Sequence, residues 1–344
     1  MTEKDYSGAT TSKIGKNAKS SASQNKESLL INKKQDKKEI TSEQSSAIDV
    51  ESYRKAGEIA KKAREFAKTI IKKDMLLAEI AEKVESEILK LGGELAFPIN
   101  LSIDDIAAHY TPTLRDEKKA EGLLKVDMGV HIRGCIADLA FSLDLTPEKK
   151  YEKLIQASEE ALKKALELVK NQKEQTKFNE IGRVIETEIK KRNLSPIVNL
   201  SGHSLEEFNI HAGLTLPNID NGNTKTIGKG AFAIEPFATV SSGSGSVYDG
   251  SGSNIYSMTG AGFVRDSFAR EVLEFILENK KTLPFSQREL EKKFGSRAII
   301  ALANLKRAGA VNEFPQLIEK SHSPVSQAEA SFVISEGKVE IITE

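Results

Sequence analysis

Two aspartates in a short β-rich stretch carry the first chemical signal. They stand in Val126-Asp127-Met128-Gly129 and Ile136-Ala137-Asp138, on either side of the turn signal Arg133-Gly134. A two-residue turn there sets Asp127 opposite Ala140 and Asp138 opposite Gly129. The two carboxylates are then diagonal neighbours on one face, roughly 7–8 Å apart at the backbone. Like charges held together in a β-rich core are unfavourable unless a cation or a proton lies between them. A turn shifted by one residue would instead put them on opposite faces, as ordinary surface acids.

Three further acceptors sit in apolar settings. Glu235 closes the run 231–234, and Pro236 behind it favours extended backbone. Glu329 lies in the strand-like stretch 327–334. His203 follows Ser201-Gly202, where glycine lets a ligand come close. Taken singly, each reads as a hydrogen-bonded structural group. Together, four carboxylates and one imidazole form a hard, oxygen-rich set suited to two divalent ions rather than to a structural zinc.

Two more histidines stand in notable company, His109 in Ala108-His109-Tyr110-Thr111-Pro112 and His211 in Ile210-His211-Ala212-Gly213. His131 and His322 read as surface or internally satisfied polar groups, and Cys135 as a small core residue. One cysteine excludes an internal disulfide and a thiolate zinc cage. The run Ser242-Gly243-Ser244-Gly245-Ser246 is not a phosphate loop, because no Gly-Lys-Ser/Thr follows and no helix opens there.

The elements that must position these groups show in the periodicity. Apolar residues at helical spacing mark helices over 53–70, 77–88, 154–168 and 178–189, with β-rich stretches at 123–145 and 197–264. The order helix, helix, strands therefore occurs twice, which predicts two similar halves facing each other across a sheet. Residues 266–322 are charged and helical, with a short wing, and 326–342 returns to strand-like alternation. That order predicts a helical module of winged-helix look inserted into a single α+β domain, 48–265 plus 323–344. The module has no basic cluster of the kind that faces a DNA groove.

Composition bounds the rest. The 344 residues hold 50 Lys+Arg and 50 Asp+Glu, and zero net charge argues against a dedicated nucleic-acid binder. No apolar run approaches the roughly 20 residues of a membrane span, and the N-terminus has no segment of the signal-peptide kind. The expectation is a soluble protein of a reducing compartment. Residues 1–47, with nine Lys, six Asp/Glu and nine Ser, cannot bury enough apolar surface to order and are expected to be a disordered tail of charge +3. A basic tail can act as a tether to something acidic such as ribosomal RNA, or simply as a solvated extension.

In these segments the chain resembles the type 2 methionine aminopeptidases, the archaeal–eukaryotic class of the pita-bread family. The carrying stretches are 97–102 and 109–112, then 126–129 and 136–138, then 202–213, 233–236 and 327–329, in the family's order. The segment 266–322 falls where type 2 members carry a helical subdomain. The resemblance implies an α+β pita-bread fold with pseudo-twofold halves. It also implies two divalent ions, whether Co, Mn, Fe or Zn, with Asp127 on one, His203 and Glu235 on the other, and Asp138 and Glu329 bridging. Metal-activated hydroxide would attack the peptide bond after an initiator methionine. Glu235 would shuttle the proton, His109 and His211 would bind the scissile amide and its oxyanion, and Phe97 and Ile210 would line the methionine pocket.

The implied setting is cytoplasmic, with nascent polypeptides as substrate, ribosome association through the tail, no membrane or specific DNA partner, and a monomer. The alternatives within the fold are an inactive relative that binds ribosome or RNA, and a prolidase-like exopeptidase. All five ligands are present, which speaks against the first. The second usually carries a separate N-terminal domain and lacks the insertion. One departure stands out: Ala330-Ser331 follows Glu329 where type 2 members commonly have His-Thr, which implies a lost donor behind the metal ligands.

Overall fold

Four alanines set the first helix against its sheet. In α1 (Val50–Ile70), Ala56, Ala60, Ala63 and Ala67 are fully buried, and such small side chains let the helix lie close to the strands beneath it. A computed structural model describes residues 48–344 apart from Ala261; the tail expected at 1–47 lies outside the described residues. After α1 come α2 (Leu77–Lys90), β1 (Glu94–Leu95), β2 (Asn100–Ile103), β3 (Ile106–Ala108) and the long hairpin β4 (Leu123–Ile132) and β5 (Cys135–Asp144). A second helix pair follows, α3 (Glu152–Gln172) and α4 (Phe178–Lys190). The next strands are β6 (Leu194–Pro196), β7 (Ser201–Leu205), β8 (Thr215–Pro217), β9 (Gly230–Ile234), β10 (Phe237–Val240) and β11 (Val247–Met258). The inserted stretch carries α5 (Ser267–Lys280), β12 (Phe285–Ser286), α6 (Gln287–Phe294), α7 (Arg297–Arg307) and β13 (Val311–Glu319). The chain then returns through β14 (Val325–Gln327), β15 (Glu329–Ser335) and β16 (Lys338–Ile341).

The main sheet runs β1-β4-β5-β15-β9-β7-β8, with β2 beside β4 and β16 beside β15, and its described pairings are antiparallel. Each helix pair covers one half. The first builds an apolar cluster with Leu101, Val126, Val130 and Ile136 around Ala60, Ile80 and Val84. The second does the same with Phe232, Ile234 and Phe332 around Ala161, Ala165 and Ile185. The late strand β15 joins the halves, pairing with β5 on one side and β9 on the other.

The hairpin turn has the two-residue form. Ile132 pairs with Cys135, and the intervening Arg133 and Gly134 both take positive φ, 52° and 92°, as the tight hairpin turn requires. Arg133 then reaches the start of α1, donating to Asp49 at 2.7 Å and to Ser52. Asp49 itself caps that helix by accepting the Ser52 N–H at 3.1 Å.

The insertion has an apolar centre of its own, where Val272, Ile276, Leu290, Leu302 and Leu305 pack with Tyr256 and Val311. It is also stitched to the rest of the fold. β13 pairs with β11 along most of its length and with β3 at Ala108 and Ile106. Among the described residues no helix is long and apolar enough to cross a membrane.

Candidate active site

Five adjacent strand positions of the main sheet each contribute one donor. Asp127 lies on β4, Asp138 on β5, Glu329 on β15, Glu235 immediately after β9, and His203 on β7. The register aligns them: Asp127 pairs with Ala140 and Asp138 with Gly129, so the two aspartates share a face. Glu329 also sits opposite Ala140, and His203 sits opposite Ala233. His203 Nε2 lies 3.6 Å from Asp138 Oδ2 and 3.8 Å from Glu235 Oε1. One ligand atom each from Asp138, His203 and Glu329 lies within 4.8 Å of the other two. Asp127 and Glu235 are linked by Gln327, whose Nε2 lies 3.4 Å from one carboxylate and 3.5 Å from the other.

Such a cluster is electrostatically incomplete. Burial pushes the Asp127 carboxyl up to about 7 against the opposing Gln327 hydrogen bond. Burial also raises Asp138, Glu235 and Glu329 well above the usual range, and mutual repulsion adds to it: Asp127 acts on Asp138 and Glu235, and Asp138 on Glu329. Burial, and then the neighbouring His211, brings His203 down to about 3, so its imidazole is neutral and able to ligate. Asp127 Oδ1, Asp138 Oδ1 and Glu329 Oε1 are buried without a hydrogen-bond partner. Unpartnered anionic oxygens in a dry site call for cations or protons, and this oxygen-rich donor set with one neutral nitrogen fits divalent metal.

The donors form part of the lining of a cavity of about 350 Å³, and all nine residues singled out from the sequence line it. Phe97 and Ile210 supply apolar wall. His109 has left-handed backbone, φ 62°, which is uncommon for a residue with a side chain. Its Nδ1 lies 3.3 Å from the carbonyl oxygen of Pro315, and Phe314 packs edge-on against the ring. Burial, then His211, lowers its pKa to about 4, so it is neutral with the proton on Nδ1 and a lone pair on Nε2. The His211 ring stands at 76° to that of His203 with centroids 4.5 Å apart, and burial lowers its pKa too.

Two expectations change. The glycine before His203 serves a neighbouring strand rather than a ligand: a Cβ at Gly202 would lie 2.2 Å from the Ala233 carbonyl oxygen, so this position admits the close approach of β9. The Ala330-Ser331 departure keeps a donor after all. Ser331 Oγ donates to the Asp138 carbonyl and accepts the Asp138 N–H, both at 2.8 Å, while Ala330 packs in the apolar cluster beneath the second helix pair. Other contributors escaped sequence reasoning. Gln327 begins the 327–329 stretch with nothing local to mark its role, and Pro284, Phe314 and Leu317 reach the cavity from the 266–322 segment, where no local pattern marks them.

A model of metallopeptidase family M24 matches residues 51–265. A methionine aminopeptidase of Pyrococcus horikoshii is 40% identical over 302 residues, covering 86% of this chain and 100% of that one. The chain belongs to metallopeptidase family M24. Within M24 it falls with the type 2 methionine aminopeptidases, as the sequence segments implied. Among solved structures, a thermophilic Arx1 superposes with TM-score 0.71 at 15% identity, covering 86% of this chain and 91% of that one. A methionine aminopeptidase from Rickettsia prowazekii gives TM-score 0.59 at 18% identity, covering 86% and 97%. These likenesses show the fold, the pita-bread arrangement of M24. Membership in M24 implies use of divalent metal, which the unpartnered carboxylate oxygens independently call for.

Proposed function

We propose that this chain is a dinuclear metallo-aminopeptidase that removes the initiator methionine from nascent polypeptides. The observation that carries the reading is the gathering of Asp127, Asp138, His203, Glu235 and Glu329 in one cavity beside an apolar wall and the two further imidazoles of His109 and His211, both with pKa lowered by burial. Asp127 would hold one ion, His203 and Glu235 the other, and Asp138 and Glu329 would bridge the two. When bound, such a pair supplies an acidified water and polarises the scissile carbonyl.

The chain's own residues do the rest. Phe97 and Ile210 receive the methionine side chain, whose flexible thioether packs well against apolar surface. His109, with its proton committed to Pro315, presents Nε2 as an acceptor for the N–H of the scissile amide. His211, also in the cavity wall, donates to the carbonyl oxygen as negative charge develops there. Glu235 carries the proton from the attacking water to the leaving amine.

Nascent chains with a small second residue are the substrates in this reading, and the cytoplasm is the setting. The enzyme works as a monomer without a membrane or specific DNA partner, and the basic segment 1–47 supplies ribosome contact. Cobalt, manganese, iron and zinc all suit the donor set. The test combines metal analysis of the purified chain with release of methionine from Met-Ala-Ser. About two metal equivalents, activity lost to a chelator and activity regained on adding Mn²⁺ or Co²⁺ are expected. No methionine release with any of these ions would overturn the reading.

A further inference from the structure

The largest side chain fully buried among the described residues is a charged one from the insertion, Arg288 of α6, with 1% of its surface exposed. A guanidinium cannot shed its charge, so burying it is unfavourable unless its N–H groups meet acceptors. Here they meet two segments of the chain, helix α2 and the loop at Thr111 and Pro112. Nη2 pairs with Glu85 of α2, while Nε has no hydrogen-bond partner and meets Glu82 of the same helix only as an ionic neighbour at 3.2 Å. Nη1 donates to the Pro112 carbonyl and lies 3.2 Å from Thr111 Oγ1.

Two of these contacts, to Glu85 and to the 111–112 loop, lead to the pocket without touching it. The Glu85 oxygen that pairs with Arg288 also accepts the Ile99 N–H at 3.2 Å. Ile99 lies between Phe97 and Asn100, which both line the cavity, and Asn100 is the register partner of Asp127. On the other branch, Thr111 and Pro112 follow His109 by two and three residues. That histidine depends on its surroundings to hold an uncommon backbone conformation. Its ring is fixed from the far side by Pro315, also in the insertion. One buried cation therefore joins the wall expected to receive methionine to the loop that carries the imidazole. Arg288 itself does not line the cavity.

We infer that Arg288 is a positioning residue for peptide cleavage: through Glu85 it sets the Phe97 wall, and through Thr111 and Pro112 it sets His109. The inference rests on the aminopeptidase reading above and assigns the insertion a part in specificity and turnover. A guanidinium fork with several directed donors suits the task, whereas the single nitrogen of lysine cannot reproduce its fork between α2 and the 111–112 loop.

The experiment compares Arg288→Met, Arg288→Lys, Glu85→Ala, Glu85→Gln and Thr111→Val in the full chain. It reads kcat and KM on Met-Ala-Ser and Leu-Ala-Ser, metal content, and hydrogen exchange at 97–101 and 108–112. Arg288→Met is expected to lower kcat/KM for the methionine peptide at least tenfold at unchanged metal content. It should also narrow the methionine-over-leucine preference at least fivefold, and Arg288→Lys should not restore it. Glu85→Ala should act mainly on that preference, with Glu85→Gln nearer wild type because it keeps an acceptor for Ile99. Thr111→Val should act mainly on kcat.

Wild-type preference and kcat per bound metal in Arg288→Met would overturn the inference, leaving only a structural ion pair. If that variant does not fold, the same result in both Glu85→Ala and Thr111→Val overturns it. If the wild type releases no methionine, the aminopeptidase reading fails. Hydrogen exchange then decides the linkage: faster exchange in both segments of a variant supports it, and unchanged exchange refutes it.

Discussion

His109 shows how much of a residue's chemistry is set by what lies behind it. The Pro315 carbonyl holds the proton on Nδ1, and burial keeps the ring neutral, with its pKa lowered to about 4. Replacing it with alanine removes a cavity-lining group that, in the proposed reading, faces the substrate, but that touches none of the five metal donors through a described hydrogen bond or ion pair. His109→Ala should therefore reduce kcat on the order of 100-fold, in the range of a lost polar contact in the transition state, while leaving metal content unchanged. A metal titration of the variant beside wild type checks this, and lost occupancy would contradict the substrate-facing role. At this scale the sequence was informative wherever a polar residue interrupted an apolar run, as at Glu235, Glu329 and Asp138. It was silent about Pro315, Gln327 and Arg288. The first acts through a backbone carbonyl that any residue would offer, and the others matter through partners 92 to 203 positions away.

At the scale of elements, the site is a consequence of strand register. The period of two along β4 and β5 and a two-residue turn suffice to bring Asp127 and Asp138 to one face, which is why the hairpin could be read in advance. The placement of β15 between β5 and β9 could not, since nothing local in Glu329–Ser335 names its neighbours. The same holds for β13, whose charged surroundings gave no sign that it pairs with β3 and supports His109. Strand spacing at His203 depends on Gly202, where a Cβ would meet the Ala233 backbone at 2.2 Å. A backbone carbonyl within a sheet cannot move aside cheaply. Gly202→Ala should cost about 1–3 kcal/mol, as overpacking does, and should weaken metal binding because His203 is the next residue. Urea unfolding of the metal-free variant together with a metal titration tests both parts. A stable variant with wild-type metal affinity would show that β7 and β9 tolerate a wider separation.

For the whole molecule, the two halves and their joining strand enclose four carboxylates that are stable together only with protons or cations. The direction of the resulting pH dependence follows from where those protons reside. Asp127 titrates near 3.8 when unfolded and at about 7 in the metal-free fold, and Asp138, Glu235 and Glu329 are also raised. Between those values the fold binds more protons than the unfolded chain, so these groups make metal-free stability fall as pH rises. His203 and His109, lowered from 6.5 to about 3 and about 4, have the opposite slope below neutrality. Both stay neutral with or without metal, so their contribution cancels when the two forms are compared. Bound divalent ions replace the carboxyl protons and remove the penalty. The urea midpoint with Mn²⁺ should therefore exceed that with chelator by little at pH 5 and by a growing margin through pH 6.5 and 8. A margin independent of pH would mean that these carboxylates are not the groups that bind the metal.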